Sequence, residues 1–139
     1  MDPEATVRKW MDAFNGHDVD GAASIYAPDA IVYDPAYPAP LEGVEAMQRD
    51  HEDFFSAFPD IKVRLLSVMS KGDYVMCEVL FLGTNSGPIQ TPGGLVPPTN
   101  RGIELRVAFT GRVNPQGLFV EEHRYFDTAS LLRTLGLKR

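Results

Sequence analysis

The sequence contains one cysteine and three histidines, which leaves few residues for a metal site. Because Cys77 is the only cysteine, an intramolecular disulfide is excluded, and its place in the apolar segment YVMCEVLFL indicates a buried thiol. The histidines His17, His51 and His123 are far apart and lack the paired spacing of metal-binding motifs. We therefore expect no metal.

Basic residues are in the minority, with 13 Lys and Arg against 19 Asp and Glu and a formal net charge of -6. Nucleic acids and anionic membranes require a concentrated basic surface, so neither is expected as a partner. The segment MDPEATVRKW lacks the basic and apolar regions of a secretory signal, and no apolar run is long enough to span a bilayer. We expect a cytoplasmic protein.

Motifs for covalent and nucleotide chemistry are also missing. There is no nucleophile elbow, phosphate loop or dinucleotide fingerprint, and the glycine-rich TPGGL does not lie between a strand and a helix. With 139 residues, of which 44% are hydrophobic and 23% charged, the chain has the size and composition of one globular domain. We expect a single domain over residues 1–139.

The first part of the chain has mainly helical periodicity. Asp2 and Pro3 form a helix start, and the apolar spacing continues to Phe14. The segment VDGAASIYAPDA indicates a second short helix, ended by Pro28, and AIVYDP indicates a brief strand. After a proline-rich loop, the apolar stripe of residues 44–58 predicts a longer helix.

The rest of the chain changes to the periodicity of strands. Four consecutive strands are predicted from IKVRLLSVMS, DYVMCEVLFLGT, IELRVAFTGRV and LFVEEHRYF. Glycine and proline in residues 84–101 indicate a mobile flap, and a last helix is predicted at Thr128–Leu135 with Gly136 as its cap. Antiparallel strands preceded by helices predict an α+β fold in which the helices cover one sheet face. A curved sheet would leave a cavity of ligand size.

Several segments together resemble a known family. They are YAPDAIVYDP, LEG before the long helix, FPDI, GDYVMCEVLFLGTNSG, PPTNRGIEL and FVEEHRYFDTASLLRTLGL. The chain resembles the SnoaL-like polyketide cyclases, also called predicted ester cyclases, of the nuclear transport factor 2-like superfamily. The resemblance implies a cone-shaped α+β barrel with a curved antiparallel sheet, a homodimer through that sheet, a hydrophobic small-molecule ligand and no metal or organic cofactor. This fold hosts cyclases, isomerases, epoxide hydrolases, dehydratases and non-catalytic subunits, so it does not fix the reaction.

Asp127, between the last strand and the last helix, matches the acid/base aspartate of the SnoaL-like cyclases. The resemblance implies that it removes a proton alpha to a carbonyl. Asp127 also suits the N-cap of the last helix, where its carboxylate would accept amide protons. Capping hydrogen bonds lower the pKa of a carboxyl group and an apolar pocket raises it, so the two readings predict opposite chemistry.

Asp34 resembles the general base of ketosteroid isomerases, which also ends a strand ahead of a proline. An aspartate before proline is a common start of a turn as well, so both roles stay open. The first helix has Trp10 where those isomerases place an oxyanion-stabilising tyrosine, and LRVAF in the third strand of the meander contains no aspartate. Isomerase activity of that type is therefore not expected.

His123 and Tyr125 alternate with Asp127 along the last strand, so the three side chains are expected to share a face. If that face lines the cavity, Tyr125 can donate a hydrogen bond to an enolate oxygen and His123 can share in proton transfer. The alternative is that either ring is only a wall or core group. The cyclases carry a histidine on the preceding strand, whereas VAFTGRV has none.

Aromatic residues supply the expected substrate-binding walls. A histidine of the long helix is expected either to join these walls or to be only a core residue. These residues are Trp10, Phe14, Tyr33, His51, Phe54, Phe58 and Phe109. Arg106 alternates with the apolar residues of its strand and is expected on the outer face. An arginine and aspartate pair inside the pocket, as in related epoxide hydrolases, is therefore not expected.

The leading hypothesis is a cofactor-free enzyme that forms the enolate of a hydrophobic, polyketide-like carbonyl compound for aldol cyclisation or isomerisation. Asp127 and Asp34 are the candidate bases, and Tyr125 and His123 are the candidate donors. The alternative is a non-catalytic dimer of the same fold that binds a small molecule or acts as a scaffold.

Overall fold

Buried and exposed residues alternate along the long strands, which gives the sheet one face for the helices and one outer face. The computed structural model describes residues 2–91 and 93–137. Its helices are α1 (Pro3–Asn15), α2 (Val19–Ala23), α3 (Gly43–Ala57) and α4 (Thr128–Thr134). Its strands are β1 (Tyr26–Tyr33), β2 (Leu41–Glu42), β3 (Lys62–Lys71), β4 (Tyr74–Thr84), β5 (Ile89–Thr91), β6 (Gly94–Val96), β7 (Gly102–Val113) and β8 (Phe119–Tyr125).

Six strands form the main sheet, in the order β2-β1-β8-β7-β4-β3, and β5 and β6 form a separate hairpin. Neighbouring strands of the main sheet are antiparallel except β1 and β8, which run parallel. The prediction of an α+β fold with a curved sheet and covering helices is confirmed. The expectation that all strands are antiparallel is wrong for the β1–β8 pair.

The second helix is shorter and the first strand longer than the sequence pattern predicts. Helix α2 ends at Ala23, and β1 begins at Tyr26 and runs through Pro28. Tyr26 pairs with Phe119 of β8, and regular pairing resumes at Ile31. Pro28 lies in the interval where the ladder is interrupted, so its missing backbone N–H is tolerated there.

Helices α1 and α3 cover the inner face of the sheet. The Asp2 side chain caps α1 by accepting a hydrogen bond from the Glu4 amide at 3.0 Å. The large buried residues of these helices recur at helical spacing and are Val7, Trp10 and Phe14 in α1 and Met47 and His51 in α3. Four of them belong to one core with the inner residues of β4 and β7, and the His51 ring packs against Trp10 and Phe14.

The glycine- and proline-rich segment, expected to be a mobile flap, contains the β5–β6 hairpin. The side-chain nitrogen of fully buried Asn85 donates to the carbonyl oxygens of Ala57 at 2.9 Å and Gly87 at 3.0 Å. The Asn85 side-chain oxygen accepts a hydrogen bond from the Thr99 amide at 2.8 Å. Gly87 lies so close to α3 that a Cβ atom there would be 1.8 Å from the carbonyl oxygen of Ser56. These contacts tie the hairpin to the end of α3.

The last helix, α4, ends one residue before the predicted boundary. Gly136 follows it with a φ of +75°, the left-handed conformation expected of a C-terminal cap. Within the part of the chain that the structure describes, no helix has the length and apolar composition needed to cross a bilayer.

Candidate active site

The sheet and helices enclose a cavity of about 720 Å³, a size that suits a small organic ligand. Helices α1 and α3 and the inner faces of β7 and β8 form its walls, and the β5–β6 hairpin and α4 complete them. Most of the lining side chains are apolar. At one end, polar side chains from β8, α3 and the end of β1 meet.

The predicted aromatic walls lie in this cavity, apart from one residue. The structure places on the lining Trp10, Phe14, Phe54, Phe58 and Phe109. Their rings contact one another; for example, the Trp10 and Phe109 centroids are 5.9 Å apart. Tyr33 instead projects from the outer face, because β1 turns its neighbour Val32 inward. The expectation that Tyr33 forms a cavity wall is therefore wrong.

Arg124 of β8 is the centre of the polar end. Its Nη1 donates to Oδ2 of Asp34 at 2.9 Å and to Oδ2 of Asp50 at 3.0 Å, and its Nε donates to Oε2 of Glu122 at 2.7 Å. The side chain of Arg124 is 14% exposed, that of Asp34 7% and that of Glu122 6%. Three carboxylates thus converge on one guanidinium in a largely desolvated place, where charge-assisted hydrogen bonds are strong.

Two tyrosines extend this arrangement. The Tyr37 hydroxyl donates to Oδ1 of Asp50 at 2.6 Å, and the Tyr26 hydroxyl donates to Oε1 of Glu122. Burial and the adjacent carboxylates raise the pKa of both phenols well above the ordinary value, so both stay protonated donors. We call the six residues the Arg124 cluster: Tyr26, Asp34, Tyr37, Asp50, Glu122 and Arg124.

The charges of the Arg124 cluster support one another. Burial alone would raise the pKa of Asp50, but the positive charge of Arg124 and the hydrogen bond from Tyr37 outweigh it and hold that pKa below its usual value. Burial would lower the pKa of Arg124, but the nearby Asp50 and Glu122 carboxylates raise it well above its usual value. The guanidinium and the Asp50 carboxylate are therefore both ionised.

His51 lies on the lining, and both of its ring nitrogens have partners. Its Nε2 accepts a hydrogen bond from the indole N–H of Trp10 at 3.0 Å, and its Nδ1 donates to the carbonyl oxygen of Met47 at 2.8 Å. An indole only donates and a carbonyl only accepts, so these partners fix the neutral Nδ1–H tautomer. Burial lowers the pKa of His51 and favours the same neutral form. His51 therefore serves as a wall and a core residue at once.

Asp34 combines the two roles that the sequence left open. Its Oδ1 accepts a hydrogen bond from the Ala36 amide at 2.8 Å and so starts a turn, while its Oδ2 meets Arg124 on the cavity lining. A carboxylate in this position can exchange a proton with a ligand in the cavity. Its role as a base stays a prediction.

The last strand has the opposite phase to the predicted one. An extra residue, Val120, lies between the Val113–Phe119 and Arg112–Glu121 pairs and forms a β-bulge. The bulge inverts the alternation of inward and outward side chains in the rest of β8. The side chain of Arg124 therefore faces the cavity, and so does the side chain of Phe109, its pairing partner in β7.

His123 and Tyr125 consequently face outward. They line a shallow outer pocket of about 350 Å³ that also reaches Asp34 and Arg124. His123 stacks on Tyr33 at a centroid distance of 4.5 Å. The expectation that His123 and Tyr125 face the main cavity is wrong, since the bulge turns both away from it.

Asp127 caps α4. Its Oδ1 accepts a hydrogen bond from the Ser130 amide at 3.0 Å, and the residue is exposed and lies off the cavity lining. Of the two readings of Asp127, the structure shows the N-cap. A carboxylate off the cavity wall does not reach a bound ligand, so the general-base reading of Asp127 is corrected.

Arg106 lies exposed on the outer face, as the alternation of its strand predicts. The related expectation of no arginine and aspartate pair in the pocket is wrong, because Arg124 forms one with Asp34 and Asp50. The polar residues that sequence reasoning missed are Tyr26, Tyr37, Asp50, Glu122 and Arg124. Both phases of VEEHRYF contain polar residues, so alternation offered no signal for the inner face of β8.

Two further observations concern metals and thiols. Among residues 2–91 and 93–137, no group of three or more His, Cys, Asp and Glu side chains is arranged to hold a metal ion. Cys77 is buried, and burial raises the pKa of its thiol.

Comparison with known proteins gives this geometry a family. A family model for the SnoaL-like domain matches residues 7–122. The chain belongs to this family. A search of curated proteins found no match. The SnoaL-like resemblance is thus confirmed, and membership identifies the chain as an enzyme of a cyclase-type family.

Solved structures share the SnoaL-like fold. IdmH from Streptomyces antibioticus, a candidate polyketide cyclase, is 28% identical with a TM-score of 0.77, and the match covers 99% of this chain and 100% of IdmH. A candidate SnoaL-like polyketide cyclase from Jannaschia sp. CCS1 is 18% identical with a TM-score of 0.83, over 99% and 93% of the two chains. RV0760c from Mycobacterium tuberculosis, in complex with estradiol-17beta-hemisuccinate, is 19% identical with a TM-score of 0.70, over 92% and 96%.

Proposed function

We propose that this SnoaL-like enzyme closes a ring in a hydrophobic, polyketide-like compound by acid–base chemistry, without a metal or organic cofactor. The observation that carries the proposal is the position of Arg124, whose Nη1 bridges the Asp34 and Asp50 carboxylates at the polar end of an apolar cavity. Apolar walls hold the carbon skeleton, and the polar end meets the reacting group. IdmH, the similar candidate polyketide cyclase, is consistent with this substrate class.

Asp34 is the proposed base for a carbonyl substrate. Its carboxylate takes the proton alpha to the carbonyl, and the electron pair moves into an enolate. The enolate carbon then attacks a second carbonyl carbon of the same molecule, and the resulting alkoxide takes the proton back. Arg124 and Tyr37 hold the pKa of Asp50 below its usual value, so Asp50 is not the proposed base.

Alpha-proton exchange in heavy water tests this role. The protein is incubated with hydrophobic β-keto esters and cyclic ketones, and exchange is followed by NMR for wild type, Asp34→Asn and Asp127→Asn. A general base contributes about 100-fold or more, so we expect Asp34→Asn to lose at least that factor. Asp127→Asn is the matched control, because asparagine caps a helix as well as aspartate does.

Two results would count against this assignment. Exchange that survives in Asp34→Asn would exclude Asp34 as the base. Loss of exchange only in Asp127→Asn would instead identify Asp127 as the general base. Tight ligand binding without proton exchange in any tested carbonyl compound would favour either a different reaction, such as the epoxide opening described next, or a non-catalytic binding protein.

The second candidate is epoxide opening, which the convergence of two carboxylates on one arginine favours. One carboxylate would take the proton of a substrate hydroxyl, and the hydroxyl oxygen would attack an epoxide carbon. The epoxide C–O bond breaks, a cyclic ether forms, and the carboxyl group returns its proton to the released epoxide oxygen. Mass-neutral conversion of a hydrophobic hydroxy-epoxide, separated by chromatography, tests this route. Conversion by wild type that is equal in Arg124→Lys, which cannot form the same fork of hydrogen bonds, would contradict it.

A homodimer through the outer face of the sheet is also proposed. Strand pairing aligns one row across this face, made of Met69, Met76, Thr110, His123 and Tyr33. Met69 and Met76 are 69% and 49% exposed, and a row without acidic, lysine or arginine side chains suits a second copy related by a two-fold axis. Sedimentation of wild type and of Met76→Glu tests the dimer, and we expect the charged variant to be a monomer. A wild-type protein that is itself a monomer would exclude the dimer.

The cytoplasmic location stays a prediction.

A further inference from the structure

The cavity lining has an excess of negative charge. Asp34, Asp50 and Glu122 bring three negative charges to Arg124, which brings one positive charge, so the four side chains have a formal charge of −2. Asp53 adds a further carboxylate to the lining. Among the described lining residues, Arg124 is the only lysine or arginine.

The one lining cation is already engaged by the protein. The Nε and Nη1 atoms of Arg124 donate to its three carboxylate partners, and Nη2 lies 3.5 Å from the Tyr26 hydroxyl. His51 cannot replace it as a cation, because Trp10 and Met47 hold its ring in the neutral tautomer. An anionic ligand group would therefore meet net negative charge and little free donor capacity.

A cationic ligand group would meet the opposite situation. Among the described residues, each carboxylate of the cluster accepts two hydrogen bonds, whereas an ionised carboxylate offers about four acceptor positions. An ammonium group has three N–H donors and no acceptor, so it matches these free positions. The aromatic walls also tolerate a cation, since ring faces carry partial negative charge.

We propose that the substrate of this cavity is a hydrophobic compound that carries a protonated amine, and that compounds with a carboxylate on the same skeleton are excluded. The proposal rests on the proposed function in one respect, that the cavity is the substrate site. It adds the charge of the substrate to its hydrophobic character. The amine lies against the carboxylates of Asp50 and Glu122, and the carbon skeleton extends along β7 toward the apolar end.

Binding of three matched fluorescent probes tests the proposal. 1-Pyrenemethylamine, 1-pyrenemethanol and 1-pyrenecarboxylic acid share one aromatic skeleton and differ in charge. We expect the amine to bind about tenfold tighter than the alcohol, and the acid to bind about tenfold weaker than the alcohol, because charges in a low-dielectric site interact strongly. Fluorescence titration of wild type gives the three dissociation constants.

Two variants on neighbouring positions locate the effect. Glu122→Gln removes one charge inside the cavity, and Glu121→Gln removes the same charge from the exposed position beside it. We expect Glu122→Gln to reduce the ratio of amine affinity to acid affinity by about tenfold. Glu121→Gln should leave this ratio within about twofold, because exposed charges are screened by solvent. Circular dichroism shows whether each variant remains folded, and Asp50→Asn replaces Glu122→Gln if that variant does not fold.

The outcomes separate this proposal from the proposed function. Alcohol binding without amine preference, or an equal effect of both glutamate variants, overturns the charge selection and leaves the exchange assay unaffected. Amine preference without exchange of any carbonyl substrate supports the charge selection and counts against the enolate reaction. Absence of binding by all three probes overturns the charge selection, and the exchange assay alone then decides the enolate reaction.

Discussion

Replacing Arg124 by leucine removes the positive charge that three carboxylates share. At 4 Å and an effective dielectric constant of about 20, two unit charges interact by about 4 kcal/mol. The Arg124 side chain is 14% exposed, so its loss leaves charges that solvent stabilises poorly. The desolvation cost of the guanidinium offsets part of these lost interactions. We therefore expect Arg124→Leu to lower the free energy of unfolding by about 3–5 kcal/mol at pH 7.5.

The effect of Arg124→Leu should depend on pH in a defined direction. The wild-type pKa of Asp50 is lowered on folding, so its contribution is present above the unfolded pKa and is lost as the pH falls through the folded value. Without Arg124, burial raises the pKa values of the remaining carboxyl groups, and the folded variant takes up protons on acidification. The difference between wild type and variant should therefore shrink between pH 7.5 and pH 5.

Urea unfolding followed by circular dichroism measures both quantities. Arg8→Leu is the control, because Arg8 is exposed on α1 and its replacement should change stability by less than about 0.5 kcal/mol. A loss below about 1 kcal/mol in Arg124→Leu, or a loss independent of pH, would refute the claim that charge pairing organises the polar end.

Three further predictions concern other parts of the molecule. Burial lowers the pKa of His51, so its contribution to the free energy of unfolding should be complete above its unfolded pKa of about 6.5 and should decrease as the pH falls below that value. Thermal melts at several pH values should show this decrease, and His51→Gln should reduce it. Asp127→Ala should cost about 1 kcal/mol in urea unfolding and Asp127→Asn almost nothing, and equal losses would contradict a capping role. Gly87→Ala places a Cβ atom 1.8 Å from the Ser56 carbonyl oxygen, so it should displace the β5–β6 hairpin and lower the melting temperature; an unchanged amide spectrum at residues 85–99 would contradict this.

The elements that sequence reasoning located have strong local signals. The start of α1 follows from Asp2 and Pro3, and β7 follows from an alternation that correctly placed Phe109 inside and Arg106 outside. The parallel pairing of β1 with β8 has no local signal, because it depends on where two distant segments meet. The boundary error at Pro28 has the same origin, since pairing with β8 extends β1 beyond its own pattern.

The candidate site was partly predictable for a related reason. Asp34 and the aromatic walls follow from motif position and helical spacing. The orientation of Arg124 instead depends on one extra residue, Val120, which inverts the phase of β8. The hydrogen bond from Tyr37 to Asp50 depends on the course of a proline-rich loop, which composition does not specify.

The parallel β1–β8 pair also has a consequence for how the chain folds. Asp34 and Arg124 are separated by 90 positions in the sequence, so their contact closes a long loop. Closing such a loop costs entropy before any contact rewards it, and non-local strand pairing is correspondingly slow. The β3–β4 and β4–β7 pairings join segments nearer in sequence, and we expect them to be established first. The polar end of the cavity then appears after these pairings, and ligand binding reports that β1 and β8 have met.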